Sequence, residues 1–237
     1  MSARPAEFRP MRDNWGARAS KDFGPFLVLG FIAAGVVGLP ALVLGLLFGP
    51  AIATAVAASI GIGLAFWVAS QGRLALRSMG ARPAGSEAPR AAHLLHELAR
   101  ELSVPEPSLW ISASAENNAL VCNAGGPALL LTTALLEQYT RTELEAVVVH
   151  CLCRCGAKDL KRAQVASAFG GLGLRFASPI GDADDVIAAS LTRYPPALAS
   201  AIRKASIGSP RWAAFWFVAD RAPHRPVTDR IALLADL

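Results

Sequence analysis

The stretch TELEAVVVHCLCRC, residues 142–155, predicts the central helix of this protein. Thr142 and Glu145 have the spacing of a capping box, in which two side chains bond each other's backbone amides at the start of a helix. Three valines then lead to His150, after which the sequence reads Cys-Leu-Cys-Arg-Cys. We therefore expect a buried helix over about residues 143–157.

The composition predicts a membrane segment before this helix. Of the 237 residues, 53% are hydrophobic and only 17% are charged. The stretch 23–72 contains no Asp, Glu, Lys or Arg, and it is about twice as long as the roughly 20 residues that one membrane-spanning helix needs. A break at Phe48-Gly49-Pro50 divides it into two predicted spans, 26–48 and 51–70.

Two other interpretations of the apolar stretch are less favoured. A cleaved signal peptide would have a shorter apolar core nearer the N-terminus, although AVAAS at 55–59 resembles a cleavage site. A buried hairpin of a soluble protein would leave too little of the chain to cover it.

The distribution of charge predicts the orientation of the hairpin. The flanking segments 1–22 and 73–90 are both basic and account for the whole net charge of +5. The positive-inside rule then places both termini in the cytoplasm and the turn at 48–51 outside, in a multi-pass protein of the cell membrane. The basic excess therefore faces the lipid bilayer, and no nucleic-acid partner is expected.

The remainder of the chain predicts one small domain of helices and strands. Residues 73–90 form a juxtamembrane linker, and 91–237 form the domain. The sequence AAHLLHELARELS predicts an amphipathic helix, with His93 and His96 on its surface. Short β-prone runs follow at 108–112, 119–123 and 127–133. The fold class is therefore α+β, with a two-helix transmembrane hairpin before a domain that has a small sheet.

The order of these parts resembles the HtpX-like membrane zinc metallopeptidases. The segments that carry the resemblance are NNAL at 117–120, LLLTTALLEQYTRTELEAVVVH at 129–150, ADD at 183–185 and LTRYPPALASAIRKA at 191–205. The resemblance implies a zincin-like domain on the cytoplasmic face of the membrane, a zinc-dependent endopeptidase activity and a role in protein quality control. It also implies a substrate cleft at Asn117, Asn118 and Ala119.

The metal-binding motif departs from this family's pattern. In the family motif H-E-x-x-H, two histidines one helical turn apart hold zinc, and the glutamate activates the metal-bound water. Here His150 matches the first ligand, Cys151 stands at the general-base position, and Arg154 stands at the second ligand. Matching Ala183-Asp184 to the family's Ala-Asp pair puts Ile180 at the third ligand, with Asp182 nearby but out of register.

Thiolates could replace the missing ligands, and this alternative remains open. Cys151 and Cys155 share one helix face, and Asp182 could add an oxygen. Cys153 points away from that face, and Cys122 is a single addition from the sheet. Cysteines packed as small apolar residues are the favoured interpretation.

Arg154 requires a partner if it is buried, because an unpaired buried charge is costly. Asp184 is the favoured partner, with Asp182 or Asp185 next, and a salt bridge there would fill the vacant metal position. The alternative is that Arg154 extends to solvent. His224 lies in a segment similar to the family's closing tail, which implies a structural role.

These features predict a membrane-anchored pseudopeptidase without hydrolytic activity and without a cofactor. Its partners would be membrane-protein segments bound in the old cleft, or an active relative that it regulates. The first alternative is an active zinc endopeptidase with an altered ligand set. The second is a purely structural membrane protein.

Overall fold

The computed structural model describes residues 24–174, 179–181 and 183–237. Two sequence predictions lie outside these residues, namely the basic segment 1–22 and Asp182 as an alternative ligand. The described chain combines helices with a small sheet, which confirms the α+β class.

Two apolar helices open the described chain. Helix α1 spans Gly24–Phe48 and helix α2 spans Pro50–Ser78, and the two pack against each other. Gly49 separates them with a φ of 92°, a conformation that suits glycine. Pro50 takes the first helical position of α2. The break therefore lies where the sequence predicts it.

Helix α2 runs beyond its predicted end at residue 70. Among the described residues, it is the one helix that is long and apolar enough to cross a membrane, and its apolar part is not buried by the protein. Its last turns are different, since Gln71, Gly72 and Leu76 are buried. A Cβ on Gly72 would stand 2.0 Å from the backbone oxygen of Asn123. The helix continues because its end packs tightly on the domain.

A four-stranded sheet lies within the domain, in the order β1-β2-β4-β3. The strands are β1 Arg82–Pro83, β2 Ser108–Ser112, β3 Ala119–Asn123 and β4 Pro127–Thr132. Strand β4 is parallel to β2 and antiparallel to β3, and β1 is antiparallel to β2. The three longer strands confirm the prediction. Strand β1 lies in the predicted linker, and it accommodates a proline because it is at the edge of the sheet.

The remaining helices surround this sheet. They are α3 Pro89–Glu101, α4 Thr133–Gln138, α5 Arg141–Arg154, α6 Ala157–Ala168, α7 Gly170–Leu174, α8 Ala183–Thr192, α9 Pro195–Lys204 and α10 Val227–Ala235, with a 3-10 turn at Pro210–Trp212. Helix α3 confirms the predicted amphipathic helix, and its two histidines are on the exposed side.

The two faces of the sheet contribute to different parts of the core. Val121 and Leu131 pack with helices α3, α5, α8 and α9. Leu120 and Leu130 on the other face pack with the end of α2, with α6 and with residues 212–216. Helix α5 is buried within the first of these clusters, which places its side chains in the interior of the domain.

Helix α5 begins about two residues earlier than the sequence predicts. Thr140 is its N-cap. The Glu143 amide donates to Thr140 Oγ1 at 3.3 Å, and the Thr140 amide donates to Glu143 Oε2 at 2.8 Å. The predicted box of Thr142 and Glu145 is therefore wrong. Both pairs have the same spacing, but the Glu143 carboxylate also accepts a hydrogen bond from Lys204 on α9 at 2.9 Å.

Replacing Thr140 with alanine should lower the free energy of unfolding by about 1 kcal/mol, because α5 loses the hydroxyl that caps its first turn. The matched control is Thr142→Ala, which should change it by less than about 0.5 kcal/mol. Chemical denaturation of the full chain in detergent, followed by circular dichroism, measures both. A larger cost at Thr142 would contradict the observed cap.

Candidate functional site

Helix α5 carries the positions that the sequence analysis singles out. His150 and Cys151 are fully buried, and Arg154 is 7% exposed. The helix ends at Arg154, with Cys155 as its C-cap, short of the predicted end at 157. The burial of Arg154 contradicts the alternative in which its side chain extends to solvent.

His150 faces an acid on helix α8, and that acid is Asp185. His150 Nδ1 lies 2.9 Å from Asp185 Oδ1 and both side chains are fully buried, although the contact is poorly aligned for a hydrogen bond. The ring stands edge-on to Phe217, with 5.0 Å between the centroids. Burial lowers the pKa of His150, and the negative charge of Asp185 acts to raise it. The effect of burial is larger, so the neutral imidazole is favoured.

Arg230 on helix α10 holds the other side of Asp185. Its Nε donates to Asp185 Oδ2 at 2.7 Å and its Nη2 donates to Oδ1 at 2.8 Å, while Nη1 donates to the Phe217 carbonyl at 2.9 Å. Burial acts to raise the pKa of Asp185, but the two hydrogen bonds from Arg230 and the close contact with His150 outweigh it and hold this pKa below its usual range. The carboxylate therefore connects α5, α8 and α10.

The hydrogen bonds of Arg154 go to backbone carbonyls. Its Nη2 donates to Ala214 O at 2.6 Å, and its Nη1 donates to Trp216 O at 2.6 Å and to Phe215 O at 3.4 Å. Burial lowers the pKa of Arg154, whereas the negative charge of Asp184 raises it. Asp184 thus acts on Arg154 through its charge, and the hydrogen bonds that the structure describes for the guanidinium are those to the three carbonyls. The predicted Arg154–Asp184 salt bridge is not among the described ion pairs.

The three carbonyls belong to a stretch that pairs with the edge of the sheet. We call residues 213–218 the edge segment. The Val121 amide donates to Phe215 O at 2.9 Å, and the Phe217 amide donates to Ala119 O at 2.8 Å, in an antiparallel bridge centred on Leu120 and Trp216. Every residue of the edge segment is at most 1% exposed. The outer edge of β3 is therefore covered by the chain itself.

Two of the three predicted cleft residues, Asn118 and Ala119, bond the edge segment. Asn118 is fully buried, and its Nδ2 donates to Ser206 O at 2.7 Å and to Val218 O at 2.8 Å. Asn117 Nδ2 donates to the Gln138 side chain at 2.7 Å. Ala119 accepts the hydrogen bond from the edge segment described above. The NNAL motif fastens the edge segment to the sheet in this structure.

Ile180 lies close to the site but outside helix α8, which begins at Ala183. It is 5% exposed and bridges to His224. The next residue, Gly181, has a φ of 100°, and a Cβ there would stand 2.5 Å from the Arg230 side chain. Ile180 is therefore an apolar residue of the tight turn that covers Arg230, and its side chain has no atom that could bind a metal.

His224 approaches the site from the C-terminal segment. Its Nε2 lies 2.7 Å from the Ala213 carbonyl, while its Nδ1 is buried without a partner among the described atoms. Burial, with the positive charge of Arg154, lowers the pKa of His224 to about 3. The neutral ring can donate from Nε2 to the start of the edge segment, which agrees with a structural role.

The four cysteines are Cys122, Cys151, Cys153 and Cys155, and all are buried without a disulfide. Burial raises the pKa of Cys122, Cys151 and Cys155 to about 12 each. Thiols with a raised pKa resist the deprotonation that zinc binding requires.

These residues do not fit the ligand set of a zinc peptidase. His150 Nε2 is buried and has no partner among the described atoms, so it could offer one nitrogen. Cys151 is a protonated thiol. The Arg154 guanidinium has only N–H groups and no lone pair for a metal, and the Ile180 side chain has no ligand atom. Within the ranges that the structure describes, no three His, Cys, Asp or Glu side chains are grouped to hold a metal ion.

Three features of the site were missed by the sequence analysis. Arg230 was not singled out, Asp185 was considered only as a possible partner of Arg154 and not as a neighbour of His150, and the edge segment was given no role. Arg230 follows Asp229 directly in a short helix, and nothing in that local sequence indicates that its partner is Asp185, 45 residues earlier in the chain. The edge segment was detectable only as an uninterrupted apolar run, which fits a buried strand but does not show its partner.

The chain is similar to several curated proteins that are named Protease HtpX homolog. The homologue of Thermoanaerobacter pseudethanolicus is 28% identical over 111 residues, which cover 45% of this chain and 37% of the relative. The homologue of Kineococcus radiotolerans is 33% identical over 125 residues, which cover 47% of this chain and 42% of the relative. The homologue of Moorella thermoacetica is 34% identical over 100 residues, which cover 41% of this chain and 33% of the relative.

These similarities support an HtpX-like family. The chain spans less than half the length of the curated relatives that it matches. No family model matches the chain, and no solved structure matches it significantly.

The two buried neutral histidines should make the protein sensitive to mild acid. The folded-state pKa values of His150 and His224 are both lowered, so the unfolded chain binds protons first as the pH falls. The stability that the two histidines contribute is therefore complete above about pH 6.5 and is lost progressively below it. For His224 this loss continues down to about pH 3. Each can remove up to about 1.4 kcal/mol of unfolding free energy per pH unit. Denaturant titrations at pH 7 and pH 5.5 measure this loss.

The variant His224→Gln keeps a donor for Ala213 but does not titrate, so it should lose roughly half of this pH dependence. The exposed His93 provides the matched control, and His93→Gln should behave as the unmodified chain does. Equal stability at the two pH values, or an unchanged slope in His224→Gln, would contradict the interpretation.

Proposed function

We propose that this chain is a membrane-anchored HtpX-like protein that has lost peptidase activity and acts by binding. The similarity to proteins named Protease HtpX homolog supports the family. A zincin-like domain with a two-helix membrane hairpin is the architecture that we propose for it. The packing of α1 against α2 is consistent with that hairpin.

The membrane anchor is supported by the exposure of its side chains. Helix α2 is long and apolar enough to span a membrane. Large apolar side chains are exposed on both helices, such as Leu46 on α1 at 79% and Phe66 on α2 at 73%. Exposed apolar surface of this extent is unfavourable in water and favourable in lipid. The basic flanks 1–22 and 73–90 lead us to propose that both termini are cytoplasmic.

The contact between Arg154 and the edge segment is the main observation in support of the proposed loss of activity. Metal-dependent hydrolysis requires a metal held by several ligands and a base that activates the bound water. At the second ligand position of the family motif, the guanidinium of Arg154 donates to three carbonyls. A fixed positive charge repels a metal cation. Cys151, at the position of the family's base, has a thiol in place of a carboxylate.

We further propose that the binding partner is a membrane protein, in particular an active peptidase relative that this chain regulates. A peptide that bound the cleft as an added strand would need the outer edge of β3, where the edge segment already lies. This favours regulation of a relative over capture of substrate segments in the cleft.

An active zinc endopeptidase with an altered ligand set is the second candidate. The buried His150 Nε2 without a described partner favours it, because such an atom is costly unless something binds it. It would require cysteine or Asp182 ligands in place of the missing ones. The third candidate, a purely structural membrane protein, predicts no binding partner.

Metal content and peptidase activity separate the first two candidates. The full chain, purified in detergent without chelators, should contain zinc far below stoichiometry and should not cleave an unfolded membrane-protein substrate. Stoichiometric zinc that disappears in Cys151→Ala would establish the altered site and contradict the proposal.

Partial restoration of the motif gives a second test of the same proposal. The double variant Cys151→Glu, Arg154→His should bind zinc weakly and remain inactive, since Ile180 still occupies the proposed third position. Adding Ile180→Glu should raise zinc affinity. Equal affinity in the double and triple variants would show that the third position is assigned incorrectly.

A further inference from the structure

A cavity of about 350 Å³ lies between the end of the apolar part of α2 and the domain. Trp67 and Gln71 line it from α2, and Ser167 lines it from the end of α6. Arg211 and Arg221 line it from the segments on either side of the edge segment. Its volume is at the lower end of the roughly 300–1,000 Å³ range of ligand pockets.

The position of the cavity along α2 corresponds to a membrane–water interface. Phe66 and Trp67 are the last large aromatic residues of the uncharged stretch, and Arg73 is the first charged residue after it. Trp67 is 44% exposed, and its indole Nε1 donates to the Ala168 carbonyl at 3.3 Å. Tryptophan at the end of a membrane span typically marks the level of the lipid headgroups.

The lining is positively charged. Arg211 and Arg221 are both exposed, and none of the lining residues that the structure describes is acidic. The Arg211 guanidinium stacks on Trp212, with 4.7 Å from its Cζ to the ring centroid. A guanidinium fixed in this way retains donors that can bind phosphate oxygens in pairs.

A buried hydroxyl without a partner lies beside these charges. Ser167 is 7% exposed, and its Oγ makes no hydrogen bond to any described atom. A buried polar group without a partner is unfavourable, so such a group in a cavity wall indicates a ligand or water that binds it. The hydroxyl can donate to an anionic oxygen.

We propose that this cavity binds the phosphate group of an anionic membrane lipid, with Arg211 and Arg221 as the charged contacts and Ser167 as a neutral donor. The lipid source rests on the membrane insertion of α2 proposed above. Trp67 would lie against the glycerol region, and the acyl chains would continue along the exposed apolar side of α2. The bound lipid would fix the angle between the membrane helix and the domain.

Calorimetric titration of the full chain in dodecyl maltoside tests this proposal, with three probes. These are dioctanoyl phosphatidylglycerol, dioctanoyl phosphatidylcholine and inorganic phosphate. We expect saturable binding of the phosphatidylglycerol only. The double variant Arg211→Gln, Arg221→Gln should weaken it about 25-fold, since each basic residue near an anionic lipid contributes about fivefold.

Two matched controls separate the site from general effects of charge and bulk. Arg100→Gln with Arg203→Gln removes the same charge from exposed arginines outside the cavity and should leave the affinity unchanged. Gly171 lines the cavity and a Cβ there would meet no atom within 4 Å, so Gly171→Leu should block binding without changing charge. Gly126, which also has open space around it and lies elsewhere, is the steric control as Gly126→Leu.

Equal binding of the two lipids, or unchanged affinity in the Arg211 and Arg221 double variant, would overturn the proposal. Comparable binding of inorganic phosphate would contradict the proposal that the ligand is a lipid. Alkaline extraction of cell membranes tests the insertion of α2 separately, because release of the chain would contradict the anchor without involving these arginines.

Discussion

The burial of the Arg154 charge is the constraint on which the rest of the site depends. A guanidinium inside a protein must find acceptors for its donors, because leaving them unsatisfied costs several kcal/mol. Arg154 finds them in three consecutive carbonyls at 214–216. Consecutive carbonyls of an extended chain point to alternate sides, so only a local bend directs all three toward one group. The edge segment is therefore shaped to receive this side chain.

A second arginine fixes the next carbonyl of the same segment. Arg230 binds Phe217 O and forms a two-bond ion pair with Asp185, which also contacts His150. The two arginines thus hold four successive carbonyls between helices α5 and α10. On its other side the edge segment pairs with β3, where a peptide substrate of a zincin-like enzyme would be expected to add as a strand. Arg154, at the proposed second ligand position, also helps to cover the edge of β3. Under the proposal, the loss of activity and the closure of this edge have the same cause.

The sequence predicts the elements of this fold well and its long-range pairing poorly. The strands at 108–112 and 119–123 and the break at Gly49 follow from local pattern, which depends on residues that are close in the chain. The start of α5 was misplaced because two overlapping capping boxes fit equally well locally, and Lys204, more than 60 residues away in the chain, provides an additional contact for one of them. The sequence names Asp184 and Asp185 only as candidate partners of Arg154, and it gives neither acid a place beside His150. Adjacent residues on a helix point about 100° apart, and only the packing of α8 decides which one faces His150.

The closure of the β3 edge is most directly tested by hydrogen exchange at the edge segment in the full chain. The Phe217 amide bonds Ala119 O within a segment that is at most 1% exposed, so it should exchange as slowly as the amides of β4. In Arg154→Met, which removes the donors to 214–216, exchange of the edge segment should be at least about tenfold faster. Exposed Arg203→Met should leave it unchanged. Rapid exchange of Phe217 in the unmodified chain would show that the edge is open and would contradict this account.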